Sequence, residues 1–205
     1  MTGSVYIGDS AGIAKKTGSL YVSVNDLAKK VNAVYIGDES GIARKVYELN
    51  NVNETAVSIP KMTSNTAPSG KASASSEYNA NSYAWKAFDG NVSTQWASAN
   101  GTTSMTGTAW LQYDFGYAVR PTLMTYKVAS SYRPKNYSLL GSNDGSSFTE
   151  LSAGALPNSA EVFTVKLSVK ERYRIFRLVL TNKYSANARF YVAVFGIDGY
   201  KIVDE

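Results

Sequence analysis

The chain has 205 residues, of which 44% are hydrophobic, and 21 basic against 16 acidic residues give a net charge of +5 at pH 7. This is enough apolar material for a sizeable core, but no stretch approaches the roughly 20 apolar residues that span a bilayer, and the opening residues lack the pattern of an export signal. With neither histidine nor cysteine, disulfides, thiolate metal sites and Ser-His or Cys-His nucleophiles are excluded, and the scattered basic residues predict no nucleic-acid binding.

The first fifty residues contain an internal repeat. Its copies read VYIGDSAGIAKK at 5–16, a degenerate LYVSVNDLAKK at 20–30, and VYIGDESGIARK at 34–45. An apolar and aromatic pair before Gly-Asp and a second Gly is typical of a short hairpin. Units this short cannot bury an apolar face alone. Residues 1–50 are therefore predicted as a β-hairpin repeat region that attaches the chain to a partner, with a plain β extension as the alternative.

The remaining chain divides into a predicted linker and a predicted domain. Residues 51–71 are rich in Asn, Ser, Thr, Gly and Pro without periodicity, which favours a linker. From 72 to 205, short strand patterns are separated by turns, and none of them has helical periodicity. An all-β, antiparallel sandwich or jelly roll is the predicted architecture. Its candidate strands are 109–116, 123–131, 136–143, 162–169, 173–181 and 189–197, and Trp110 in the first of them is assigned to the core.

Five motifs in order resemble a discoidin domain, the family of coagulation factor five/eight C-type domains and family 32 carbohydrate-binding modules. They are SASSEY (73–78), AFDGNVSTQW (87–96), WLQYDFG (110–116), RPKNYSLLGSNDGSSFTEL (133–151) and YRIFRL (173–178). The resemblance implies a jelly roll that binds glycans, or in some animal members phospholipid head groups, through loops at one end. The N-terminal repeats resemble units of phage virion proteins, which implies an exposed place on a virion and other virion proteins as partners; homo-oligomerisation is left open.

The same resemblance implies a structural calcium site in the turn at 86–94. Calcium-holding members bind the ion through oxygens that correspond to the carbonyl of Lys86 and the side chains of Asp89, Asn91 and Thr94. Oxygen donors suit this hard cation. A glutamate near the last strand usually completes the site, and Tyr191 stands at that position. The alternative is a metal-free turn in which Asp89 accepts backbone N–H bonds and Thr94 caps the loop.

Sugar binding needs ring faces for the apolar side of a pyranose and planar polar groups for its hydroxyls, held on loops. Three loops supply them: 77–85, 130–136 and 182–189. Their tyrosines and asparagines, in place of apolar spikes, favour glycan over lipid. The candidates are Tyr78, Tyr83, Trp85, Arg133, Asn136, Tyr184 and Arg189. Structural roles are the alternatives, with Trp85 covering the core edge, Arg133 anchoring its loop and Tyr184 merely exposed.

The sequence thus predicts a non-catalytic binder of host-surface or mucus glycans that is carried on a phage particle. A purely structural capsid or tail accessory protein is the alternative. An enzyme is not expected, because no pair of carboxylates is set apart for acid–base work.

Overall fold

The computed structural model describes residues 54–99, 104–128, 132–186 and 188–203, together with the backbone of six strands in the first 53 residues. The chain divides into two compact units, Met1–Asn53 and Glu54–Glu205. Among the described residues no helix has the length and apolar character needed to cross a membrane.

In the first unit, the six strands form three antiparallel pairs. Strands β1 (Val5–Gly8) and β2 (Ala14–Thr17) make the first pair, β3 (Tyr21–Val24) and β4 (Leu27–Lys30) the second, and β5 (Ala33–Gly37) and β6 (Ala43–Glu48) the third. Each pair falls within one copy of the repeat. The predicted turns between the strands lie outside the described residues.

In its described residues the second unit contains ten strands and two short 3-10 helices. The helices are η1 (Ala80–Ser82) and η2 (Ala84–Ala87). The strands are β7 (Glu54–Ser58), β8 (Lys71–Ala74), β9 (Trp96–Ala97), β10 (Thr108–Lys127), β11 (Pro134–Ser142), β12 (Thr149–Ala155), β13 (Phe163–Lys166), β14 (Tyr173–Lys183), β15 (Tyr191–Val192) and β16 (Val194–Ile202).

Strand β10 belongs to both sheets of an antiparallel sandwich. Its first half, 108–114, lies between β14 and β8 in a sheet ordered β12-β11-β14-β10-β8. Its second half, 120–127, lies between β13 and β16 in a sheet that continues to β7. The crossover falls where the register shifts after Asp114, next to Gly116 with φ of 78°. A glycine at positive φ lets the backbone turn there without steric cost. The predicted strands at 109–116 and 123–131 thus begin within one bent strand, which ends at Lys127.

The core lies between the two sheets. Leu111, Leu139 and Leu178 come from the first sheet and Phe195 and Ile197 from the second, and all are 0–1% exposed. Alternating buried and exposed residues along β10 and β11 produce this arrangement, because successive side chains of a strand point to opposite faces. The predicted all-β sandwich is confirmed.

Two sequence assignments are corrected by this packing. Residues 54–71, which make up most of the predicted linker, belong to the sandwich. Strand β7 pairs with β16, and Met62 is 2% exposed in the core. The Glu54 carboxylate binds both Arg120 and Arg172, which lowers the Glu54 pKa, chiefly through the Arg120 hydrogen bond. A segment rich in turn-forming residues still forms a strand when a neighbouring strand pairs with it and covers one side.

Trp110 is the second correction. The inward positions of β10 are Ala109 and Leu111, so Trp110 lies on the outer face, partly buried. The guanidinium carbon of Arg177 lies 4.3 Å from the centre of its ring, and the Arg177 Nε donates to Gln112 at 2.9 Å. The alternation predicts the strand correctly, but the assignment of Trp110 to the core is wrong. A tryptophan on the outer face of a sheet can be covered by an arginine side chain in place of the core.

Candidate functional site

One end of the sandwich gathers the loops that precede or follow β9, β10, β11, β12 and β14. Backbone hydrogen bonds tie them together: Asn182 N donates to Gly107 O at 3.0 Å, Lys183 N to Met105 O at 2.7 Å, and Ser98 N to Phe190 O at 3.0 Å. These bonds fix loops to strands of a packed core. Side chains on them are held in set positions, as a binding site requires.

Tyr78 and Arg189 form an exposed cation–π pair at this end. The Arg189 guanidinium lies 3.6 Å from the centre of the Tyr78 ring, and 47% of Tyr78 is exposed. The Tyr78 backbone N–H donates to Ala97 O at 2.9 Å, which holds the residue on β9. The arginine fixes one side of the ring through a cation–π contact, so a flat aromatic surface is presented to solvent with little freedom to move.

A pocket of about 220 Å³ lies beside this pair, which we call the Lys183 pocket. Hydroxyl-bearing residues, small residues, Phe190 and Lys183 line it: Ser76, Ser98, Ala99, Thr106, Gly107, Thr108, Ala109, Lys183, Ala188 and Phe190. Lys183 is only 4% exposed, and its ammonium lies 5.1 Å from the centre of the Phe190 ring. Burial lowers the pKa of Lys183, because a low-dielectric surrounding disfavours the charged form.

Arg133 and Tyr184 brace the neighbouring loops. The Arg133 Nη1 donates to the side-chain oxygen of Asn158 at 3.1 Å, the Tyr184 N–H donates to Arg133 O at 3.0 Å, and the Tyr184 hydroxyl donates to Leu156 O at 2.7 Å. These contacts match the structural alternative considered for Arg133. Tyr184 is partly buried and uses its hydroxyl within the protein, so both residues shape the rim of the site.

The other predicted sugar contacts lie elsewhere. Trp85, on η2, packs partly on the core edge with the Lys86 ammonium 4.0 Å from its ring centre, which is the structural alternative for it. Asn136 lies inside β11, paired with Ala155 and Thr181, and so is not a loop residue. Tyr83, 40% exposed, precedes η2. None of the three lines the Lys183 pocket. Parts of the predicted loops, at 130–131 and 187, lie outside the described residues.

Sequence reasoning missed Lys183. Buried and exposed residues alternate along β14 up to Leu180, which would place Lys183 on the outer face. Asn182 adopts a φ of 56°, and this left-handed residue shifts the alternation so that Lys183 turns inward. Asparagine tolerates that conformation better than most residues. The only sequence signal was thus an asparagine before a lysine, which is too common to identify a pocket.

The turn at 86–94 is closed by its own hydrogen bonds. Asp89 Oδ1 accepts from Asn91 N at 2.8 Å, and Asp89 Oδ2 accepts from the Thr94 hydroxyl at 2.6 Å. The side-chain oxygen of Asn91 accepts from Ser93 N at 2.9 Å. Gly90, with φ of 72°, permits the bend. This is the arrangement of the metal-free alternative.

These residues do not fit a calcium ion. Calcium takes six to eight oxygens, with several carboxylates in its tight sites, whereas Asp89 is the only carboxylate of the turn. In the cavity against Gly90, Val194 of the last strand provides an apolar side chain and no carboxylate. Tyr191, which stands at the predicted position of the glutamate, pairs with Ala97. Lys61 lies across Gly90, its Cε 3.0 Å from where a Cβ would stand. The described residues offer no group of three acidic, histidine or cysteine side chains for a metal.

We therefore expect calcium to leave the melting temperature unchanged, since only a ligand that binds the folded state raises it. Scanning calorimetry of chelated protein, with and without added calcium, measures this. The variant Asp89→Ala is the control: it should lose about 1–2 kcal/mol of unfolding free energy with the turn's hydrogen bonds. A calcium-dependent rise that Asp89→Ala abolishes would instead establish the calcium site that the motif predicts.

Comparisons with known proteins agree with this fold. The family model for the F5/8 type C domain matches residues 71–193. No curated protein matches the chain.

Solved structures with the same fold include carbohydrate-binding modules of low sequence identity. The family 32 module of C. perfringens NanJ, in complex with galactose, is 19% identical with a TM-score of 0.56, covering 70% of this chain and 99% of that one. Chitosan-binding module 1 of a Paenibacillus sp. IK-5 chitosanase/glucanase is 20% identical with a TM-score of 0.55, covering 65% and 98%. The family 32 module of AlyQ, in complex with 4,5-unsaturated mannuronic acid, is 20% identical with a TM-score of 0.50, covering 62% and 92%.

Proposed function

Because the chain belongs to the F5/8 type C domain family, whose model matches residues 71–193, we propose that it is a non-catalytic glycan-binding protein exposed on a phage particle. The sandwich binds host-surface or mucus glycans, and the N-terminal repeats anchor it to other virion proteins. The solved relatives that bind galactose, chitotriose and an unsaturated mannuronic acid support a carbohydrate ligand.

The observation that carries this proposal is the Tyr78 ring, held flat by Arg189 beside the hydroxyl-lined Lys183 pocket. A sugar ring offers an apolar C–H face and a rim of hydroxyls. An immobilised aromatic ring covers the first at low entropic cost, and serine and threonine hydroxyls both donate to and accept from the second. Because the pocket is small, each site should bind weakly, and many copies on one particle would supply avidity.

A glycan array probed with the monomeric and a multivalent form of the protein tests the proposal. We expect binding that Tyr78→Ala weakens by at least about tenfold, or 1.4 kcal/mol. Tyr200→Ala is the matched control, because Tyr200 is also exposed, at 38%, and also lies against an arginine, Arg120, at 5.1 Å. Silence from both forms on the array would refute glycan binding.

A second function, a purely structural part of the particle, is favoured by one observation. Exposed apolar residues lie together at the end of β16, namely Tyr200, Ile202 and Val203, each 38–44% exposed. Such a group is typical of a surface that other proteins cover. If this is the main function, replacing Tyr200 and Ile202 by serine should impair particle assembly, whereas Tyr78→Ala should leave both assembly and host adsorption intact.

A further inference from the structure

The charge of the Lys183 pocket gives it a selectivity that its hydroxyls alone would not. Among the described residues that line the pocket, Lys183 is the one that carries a charge, and none is an aspartate or a glutamate. The nearest acidic residue along the flanking segment, Glu77, already accepts the backbone N–H of Ala84 at 2.7 Å. Arg189 and Arg133, on adjoining loops, add positive charge to the same end. An approaching ligand therefore meets a positive field that no described carboxylate at the pocket offsets.

The position of the lysine is fixed from several sides. Its own backbone N–H donates to Met105 O at 2.7 Å, and the Phe190 ring lies against its ammonium. Phe190 is held in turn by a hydrogen bond from its N–H to the Ser98 hydroxyl at 3.0 Å. The ammonium is thus preorganised at the wall of a cavity, so that a ligand need not order a flexible surface lysine before it binds.

Burial disfavours the charged form of Lys183 and lowers its pKa, at a cost in free energy. A negative group entering the pocket would offset that cost, because a charge-assisted hydrogen bond gains strength where water is excluded. A neutral hydroxyl would offset much less of it. The pocket, at about 220 Å³, is smaller than the roughly 300–1,000 Å³ of sites for drug-sized ligands. It suits one sugar residue or one substituent.

We propose that the Lys183 pocket receives the anionic substituent of an acidic saccharide, a carboxylate, sulfate or phosphate, while Tyr78 contacts the sugar ring outside it. This inference rests on the proposed glycan-binding function and names its substrate class. Lysine acts as a point charge and not as a planar fork, so the three anions share one recognition chemistry. The ligand is thereby an acidic polysaccharide of the host surface or of mucus in preference to a neutral one.

Titration calorimetry of the full chain against four oligosaccharides tests the proposal. The probes are a uronate oligomer, a sulfated galactan oligomer, a phosphate-bearing oligomer and a neutral galactan oligomer of matched length. We expect at least one anionic probe to bind about tenfold or more tightly than the neutral one. The variant Lys183→Met should remove that preference, so that the anionic and neutral probes bind it with equal affinity. It should fold, since an unbranched apolar side chain of similar size replaces a buried charge.

Lys135→Ala is the matched control, because Lys135 is an exposed lysine of β11 that does not line the pocket. It should keep the anionic preference; an equal loss in both variants would show a diffuse charge effect and overturn the pocket assignment. Equal affinity of the native protein for neutral and anionic probes would also overturn it, and the glycan-binding function would stand. No binding to any of the four probes, or to the glycan array, would remove both.

Discussion

Replacing Trp96 by alanine is expected to lower the free energy of unfolding by about 3–5 kcal/mol, a large part of the roughly 5–15 kcal/mol that stabilises a typical domain. Trp96 has no exposed surface, and its indole N–H donates to Ser76 O at 3.0 Å. The substitution therefore leaves a cavity and removes the hydrogen-bond donor of a partly buried carbonyl, and each is destabilising. Urea unfolding followed by circular dichroism measures the loss.

Trp110→Ala is the control for this prediction. The same atoms are removed, but Trp110 lies partly exposed on the outer face, where it contacts Arg177. We expect a loss of about 1 kcal/mol, the scale of an exposed cation–π contact. Equal losses in the two variants would contradict the face assignment of β10.

Trp96 also joins the core to the candidate site. The Ser76 carbonyl that accepts its indole N–H belongs to a residue lining the Lys183 pocket, and the Ser76 hydroxyl accepts from Ala99 N at 3.0 Å. At a temperature where Trp96→Ala remains folded, glycan affinity should therefore fall as well. Residues 84–96 accordingly place a polar turn, closed by its own hydrogen bonds, between aromatic core residues. The last of them, Trp96, supports Ser76, which lines the Lys183 pocket.

The sandwich itself was predictable because it depends on a repeated pattern. Alternating apolar residues at 109–116, 136–143 and 173–181 give strands with one buried face, and Asp144 followed by Gly145 is typical of a turn, which here joins β11 to β12. Asp144 Oδ1 indeed accepts from Ser146 N and Ser147 N, both at 2.7 Å. Such signals are local, and local geometry decides them.

The site was only partly predictable, because it depends on contacts between distant segments. The aromatic and polar content of the predicted loops indicates Tyr78 and Arg189 as candidates. The structure brings these two residues together across 111 positions of sequence. Whether a side chain on such a loop faces solvent or braces a neighbour is decided by its partners, as Arg133 with Asn158 and Trp85 with Lys86 show. Lys183 was unpredictable because one left-handed residue, Asn182, reverses its direction. The amino-acid composition of the segment does not indicate that reversal of the side-chain direction.

Gly199 is the position where a single added methyl group should be most damaging to the sheet that contains β16. A Cβ there would lie 2.3 Å from the carbonyl oxygen of Arg120 and 2.7 Å from a methyl of Val119. The oxygen belongs to the backbone of the neighbouring strand β10, so it cannot move without breaking the ladder. We expect Gly199→Ala to lower the free energy of unfolding by about 3 kcal/mol or more, as overpacking against immovable atoms does.

The same strand provides the comparison. A Cβ on Gly196 would lie 3.5 Å from the Thr125 side chain, an ordinary contact, so Gly196→Ala should change stability by less than about 0.5 kcal/mol. Urea unfolding of both variants measures the difference. If Gly199→Ala were as stable as Gly196→Ala, β10 and β16 would have to lie farther apart at the β10 crossover than the structure shows. That close approach lies just after the bend that places β10 in both sheets.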